Sequence, residues 1–167
     1  MSEKKFIIGI VAGTIVLLSV SYFFLSKDAG TSPVKVASYQ SSDKEKPQVE
    51  TKQMSANLGS MKVSEQKSYD FVIKNTGEKP LLLSNVSSSC GCTVGQVIYE
   101  GKESEEFSMH PQGSFMLEVA AQKQAILRVT YRPYVMPVYG PVEREVYVET
   151  NDPQNPKLIF KITAFVK

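Results

Sequence analysis

The chain has 167 residues, 42% of them hydrophobic and 22% charged, with 19 Lys and Arg against 17 Asp and Glu. That length suits one domain with appendages, and the near-neutral balance lacks the basic excess of a phosphate-binding face, so nucleic acid is not an expected partner. Trp is absent, which weakens a carbohydrate-stacking role.

Residues 1–5 are polar, with Lys4 beside Lys5. Phe6 to Leu25 then runs without a charge. At about 1.5 Å rise per residue this stretch is roughly 30 Å long as a helix, one hydrocarbon core. A cleaved secretory signal has a shorter apolar core and a small-residue cleavage site, whereas Ser26-Lys27-Asp28 follows here. The expectation is an uncleaved transmembrane anchor over residues 6–25, with the cytoplasmic membrane as its partner. The lysines precede the span and Lys27 stands alone beyond it, so the positive-inside rule keeps residues 1–5 in the cytoplasm. The body is then extracytoplasmic, in a periplasm or at a cell surface. Gly9 and Gly13 are spaced as a helix-pairing motif, but glycine is common in membrane helices and the pair is read as ordinary. Residues 26–47 are rich in Ser, Lys, Asp and Pro and poor in large apolar residues, which predicts a flexible tether.

Residues 48–167 change to period two, the mark of half-buried strands. Tyr69, Phe71 and Ile73 share one face, with Asp70 and Lys74 on the other. Asn75-Thr76-Gly77 is a turn signal, and Leu81-Leu82-Leu83 opens the next strand. Ala125, Leu127, Val129 and Tyr131 alternate with Arg128 and Thr130. Val146 and Val148 alternate with Tyr147 and Glu149, and Asn151-Asp152-Pro153 is a turn. Leu158, Phe160, Ile162, Ala164 and Val166 line a last strand. Between them, Val97-Ile98-Tyr99 reads as a short strand and Gly101 to Glu106 as an acidic turn. Phe107-Ser108-Met109 and Phe115-Met116-Leu117 read as a hairpin across His110 to Gly113. Short strands punctuated by Gly, Pro and Asn predict an all-β, antiparallel sandwich.

Three motifs follow one another in order: Phe71-Val72-Ile73-Lys74-Asn75-Thr76-Gly77, then Pro80-Leu81, then Ser89-Cys90-Gly91-Cys92-Thr93. Leu127-Arg128-Val129-Thr130-Tyr131-Arg132-Pro133 and Val148-Glu149-Thr150-Asn151-Asp152-Pro153 come later. The set resembles a bacterial family of exported Ig-like domains of unknown function, similar to the ASH and major-sperm-protein domains. The resemblance covers about Val49 to Lys167. It implies an Ig-like sandwich of about seven strands and brings no catalytic residues. One departure stands out: Ala121-Gln122-Lys123-Gln124 replaces the family's short Pro-Gly-Glu type of turn, and the segment from Val94 is lengthened.

Cys90 and Cys92 are the only cysteines. Three readings of them stand. Exported thiol pairs tend to oxidise, and residues two apart on an extended strand lie near 6.6 Å, about the upper limit for a disulfide. A positive φ at Gly91 would relax that spacing. So small a ring is expected to be strained and easily reduced, which admits a redox dithiol, although the helix-borne C-x-x-C of thioredoxin-like sites is absent. Two thiolates also suit copper or zinc, with Met109, His110 and Met116 as further ligand types. A full zinc set is missing, and a lone His beside Pro is more often solvated. The third reading is a structural corner in which small buried sulfurs pin the strand end.

No nucleophile elbow or phosphate loop occurs, and the cluster Glu100, Glu103, Glu105 and Glu106 reads as a solvated turn, so no enzyme activity is expected. Tyr131, Tyr134, Tyr139 and Tyr147 read as packing residues first and an interface second. The expected function is a membrane-tethered binding or scaffolding domain without a cofactor. It would contact another envelope protein through a sheet edge or loops. Copper, zinc or thiol-redox handling at Cys90 and Cys92 is the alternative.

Overall fold

The computed structural model describes Thr14, residues 38–110 and residues 115–167. The chain divides into two units, Met1–Lys35 and Val36–Lys167. Of the first unit only Thr14, which is helical, is described, so the expected anchor and most of the expected tether lie outside the described residues. Among the described residues no helix is long and apolar enough to cross a membrane.

The second unit is all-β. Its strands are β1 (Val49–Glu50), β2 (Ser55–Met61), β3 (Lys67–Asn75), β4 (Leu81–Ser88), β5 (Thr93–Tyr99), β6 (Lys102–Glu103), β7 (Met116–Val119), β8 (Gln124–Tyr131), β9 (Gly140–Thr150) and β10 (Lys157–Val166). They form two five-stranded sheets, ordered β1-β3-β8-β5-β6 and β2-β10-β9-β4-β7.

Alternation explains the layers. Phe71 and Ile73 of β3, with Ala125, Leu127, Val129 and Tyr131 of β8, turn inward from the first sheet. Val146 and Val148 of β9 and the even-numbered apolar residues of β10 turn inward from the second. Phe71 meets Phe160 across the interface with ring centroids 5.0 Å apart. Each such fully buried side chain contributes about 1.5–3 kcal/mol from area alone.

The expected sandwich is present, with three differences. The antiparallel expectation fails at β2, which pairs parallel to β10 and so makes its sheet mixed. Two-residue strands β1 and β6 extend the first sheet beyond the family's count. The hairpin expected from Phe107 to Leu117 does not form. Fully buried Phe107 bridges to Gly95 of β5, while β7 pairs with β4 in the other sheet. Two short, mostly apolar triplets look like partners in sequence, yet they pair with strands of different sheets.

The boundary drawn at Pro47 has packed chain on both sides. Glu78 N donates to Lys46 O at 3.2 Å, Thr76 N donates to Gln48 O at 2.8 Å, and Pro47 itself is buried.

Candidate functional site

The strand register sorts the turns into two ends. At one end lie the turns after β3, before β8 and between β9 and β10. Asn75 is fully buried there. Its Nδ2 donates to Lys79 O (2.8 Å) and Val119 O (3.0 Å), while its Oδ1 accepts from Gly77 N at 3.0 Å. Asp152 is equally buried and accepts from Val49 N (2.9 Å), Gln154 N (2.9 Å) and Asn155 Nδ2 (3.0 Å). Asn151 Oδ1 accepts from Leu82 N at 2.8 Å. A Cβ on Gly77 would overlap the Lys46 carbonyl and the Gln48 nitrogen, so glycine is required there for space. Gln122, from the departing turn, donates its Nε2 to Thr76 O at 2.9 Å. These residues hold the turns together.

The opposite end contains both cysteines. The β4–β5 connection turns back on itself: Thr93 N donates to Cys90 O at 3.2 Å, and Ser88 Oγ donates to the same carbonyl at 2.8 Å. This tight turn brings the two Cα atoms to 5.3 Å, and Cys90 and Cys92 form a disulfide. The positive φ expected at Gly91 is not used, because the turn rather than the glycine shortens the spacing. A Cβ at Gly91 would meet nothing within 4 Å, so that side of the corner is open. Ser89 N donates to Glu145 O (2.9 Å) and Glu145 N to Ser89 Oγ (3.0 Å), which ties the corner to β9. Arg132 N donates to Cys92 O at 2.8 Å, which ties it to the end of β8.

The sulfurs have polar neighbours. Thr93 Oγ1 lies 3.4 Å from Cys90 Sγ and 3.9 Å from Cys92 Sγ; a disulfide carries no S–H, so the hydroxyl is the donor. Arg144 Nε donates to Cys92 Sγ at 3.2 Å. The Arg144 guanidinium sits 5.8 Å from the centroid of the Tyr131 ring, whose buried hydroxyl has no hydrogen-bond partner among the described residues.

Arg144 was not among the residues singled out from the sequence, although a signal existed. Val142, Arg144, Val146 and Val148 occupy successive inward positions of β9, and a cation in an otherwise apolar row needs an interior partner.

Among the described residues no group of three His, Cys, Asp or Glu side chains is placed to hold a metal. Met109 and His110 are exposed, and Met116 lies in β7 opposite Ser84. With both sulfurs in a disulfide, copper or zinc binding there requires the reduced form.

Beside the corner, the β8–β9 connection carries the most concentrated exposed apolar surface among the described residues. Five of the eleven exposed large hydrophobic residues among the described ones fall in it: Tyr134, Val135, Met136, Val138 and Tyr139, the last 67% exposed. The loop starts as a short 3-10 turn, Pro133–Val135. It is anchored by Tyr134 OH, which donates to Gln66 Oε1 at 3.1 Å. Below it, Arg132 forks onto Glu106 through Nη1 (2.7 Å) and Nη2 (2.6 Å). That guanidinium holds the Glu106 carboxyl below its ordinary range. Of the four tyrosines, Tyr131 is thus core, Tyr134 and Tyr139 are surface, and Tyr147 is half-buried, its hydroxyl donating to Glu145 at 2.8 Å.

A protein of unknown function from Porphyromonas gingivalis W83 is similar in structure, with TM-score 0.56 and 19% identity over 72% of this chain and 47% of its own. The chain thus spans about half the length of that structure, and the similarity supports the sandwich fold alone. The ASH/PapD-like domain 7 of human CEP192 matches over 78% of this chain and 98% of its own, at TM-score 0.47 and 14% identity. No curated protein matches the chain. Residues 49–108, which hold the Asn75-x-Gly77, Pro80-Leu81 and Ser89–Thr93 motifs, match a family described as "Protein of unknown function (DUF1573)", and this is the family the motifs resemble.

Proposed function

We propose that this protein is a membrane-tethered, extracytoplasmic binding module that engages another envelope protein through the Tyr134–Tyr139 loop. The observation that supports it is the loop itself: five large apolar side chains, more than a third exposed each, crowd six consecutive residues that carry no charge. Isolated exposed apolar residues such as Met54 and Ile159 are ordinary, whereas a contiguous patch marks an interaction surface. Tyrosine favours such surfaces because its ring buries area while its hydroxyl keeps a polar partner, as Tyr134 does with Gln66. The 3-10 turn and the Gln66 contact pre-order the loop, which lowers the entropic cost of docking. The apolar run over residues 6–25 supplies the tether in this reading.

The test is photo-crosslinking in cells, with a benzophenone side chain placed at Tyr139 or, as a control, at Gln154 on the opposite end. The expected result is a discrete protein adduct from Tyr139 that disappears in a Tyr134→Ser/Val138→Ser background. Identical adducts from both positions, or none from Tyr139, would contradict the reading.

A further inference from the structure

We propose that the Cys90–Cys92 disulfide is a thiol–disulfide exchange site of fixed direction, in which a dithiol reductant attacks Cys90 and Cys92 departs as a thiolate held by Arg144. This goes beyond the binding reading and stands independently of it.

Burial sets the direction first. The corner is open at Gly91, between the two cysteines, and of the pair Cys90 keeps 9% of its surface and Cys92 only 1%. An incoming thiolate therefore reaches Cys90 more readily. Electrostatics sets it second. The chain has three arginines. Arg128 is paired with Asp70 and Glu103, and Arg132 with Glu106. Among the described residues no carboxylate pairs with Arg144. Its Nε donates to Cys92 Sγ at 3.2 Å, and its Nη1 donates to the Glu143 carbonyl at 2.7 Å. A guanidinium gains little from a neutral disulfide sulfur and much from a thiolate. The Arg144 contact is therefore stronger after the S–S bond breaks than before it, which favours the step that places charge on Cys92. Arg144 from β9 is the charged group touching the sulfurs. Tyr131 from β8, beneath the guanidinium, is the titratable group beside it, and β5 adds the Thr93 hydroxyl.

The exchange balances as follows. The reductant's thiolate donates an electron pair to Cys90 Sγ, forming a mixed disulfide, while the S–S pair leaves on Cys92 Sγ. The reductant's second thiolate then attacks its own sulfur in the mixed disulfide and expels the Cys90 thiolate, which takes a proton from solvent. Two electrons enter the protein disulfide, and the reductant leaves as a disulfide. A lower leaving-group pKa speeds the first step.

The full-length chain, held in mild detergent, is treated with glutathione, quenched with iodoacetamide and sequenced by tandem mass spectrometry. Glutathione on Cys90 with the alkyl group on Cys92 is expected; the reverse pattern, an even mixture, or no reaction even with dithiothreitol overturns the proposal. In parallel, Arg144→Gln is expected to slow reduction by dithiothreitol about 3- to 10-fold and to raise the pH at which reduced Cys92 becomes reactive, with Arg144→Lys restoring part of both. Unchanged kinetics in a folded Arg144→Gln chain would overturn the role of Arg144. The mapping uses the unaltered chain and decides the direction even where a variant fails to fold.

Discussion

At the end of the sandwich where residues 75–80, 120–123 and 150–156 turn, buried side chains hold the backbone; at the other end a disulfide, an inward-facing arginine and an exposed apolar loop meet. The first end is satisfied. Asn75 and Asp152 spend their polar atoms on neighbouring main-chain and side-chain groups and have no surface left. The second end differs among the described residues: its apolar loop is exposed, and its guanidinium faces a sulfur instead of a carboxylate. The Asn75-x-Gly77 and Asn151-Asp152 motifs therefore encode closure of the fold. The exposed apolar loop and the sulfur–guanidinium contact both lie at the cysteine end.

The comparison breaks most sharply at Asn75. Asn75→Ala leaves Gly77 N, Lys79 O and Val119 O without their partner, and should cost about 3–5 kcal/mol in urea unfolding. Next come paired glycines. Gly77→Ala forces a methyl group into backbone and should cost about 2–3 kcal/mol. Gly91→Ala, in open space with no positive φ, should change stability by less than about 0.5 kcal/mol. Equal effects at the two glycines would erase the distinction between the ends.

The disulfide ranks below Gly77→Ala. It closes a ring with a sequence separation of only 2, so a chain-entropy estimate for the Cys90→Ser/Cys92→Ser variant is a loss of about 1–2 kcal/mol. A loss as large as that of Asn75→Ala would make the corner a structural lock after all.

A small effect also belongs to Glu106. Arg132 lowers its pKa in the fold, so the pair's contribution is complete above the ordinary Glu value of 4.5 and fades as pH falls through the lower folded value. The pair is partly exposed, so Glu106→Gln should cost below about 1 kcal/mol at neutral pH. The gap between the two proteins should close as the pH drops below 4.5. A gap that widens in acid would contradict the assignment.

Much of the sandwich was legible because period two survives in β3, β8 and β10, whose inward residues are apolar almost without interruption. The parallel partner of β10 was not, since Ser55–Met61 has only Ala56 and Met61 buried and looks like loop. The segment from Phe107 to Leu117 misled because local apolar triplets do not say which sheet edge will take them. The corner was half legible. The Cys90 and Cys92 spacing raised the disulfide, but its geometry depends on a turn closed by Ser88 and Thr93. Arg144 comes from a strand 52 residues away in sequence, and only the register of β9 brings it to the sulfur.

Amide hydrogen exchange of the full-length chain, oxidised against reduced, tests the difference between the two ends most directly. Breaking the disulfide should speed exchange at Thr93 and Arg132, whose N–H groups bond to Cys90 O and Cys92 O, and onward into Val135 and Met136. The amides of Val49, Asn75, Gly77 and Gln154 should keep their rates, because their partners lie at the other end. A rise of equal size at both ends, or none at Thr93 and Arg132, would contradict the account.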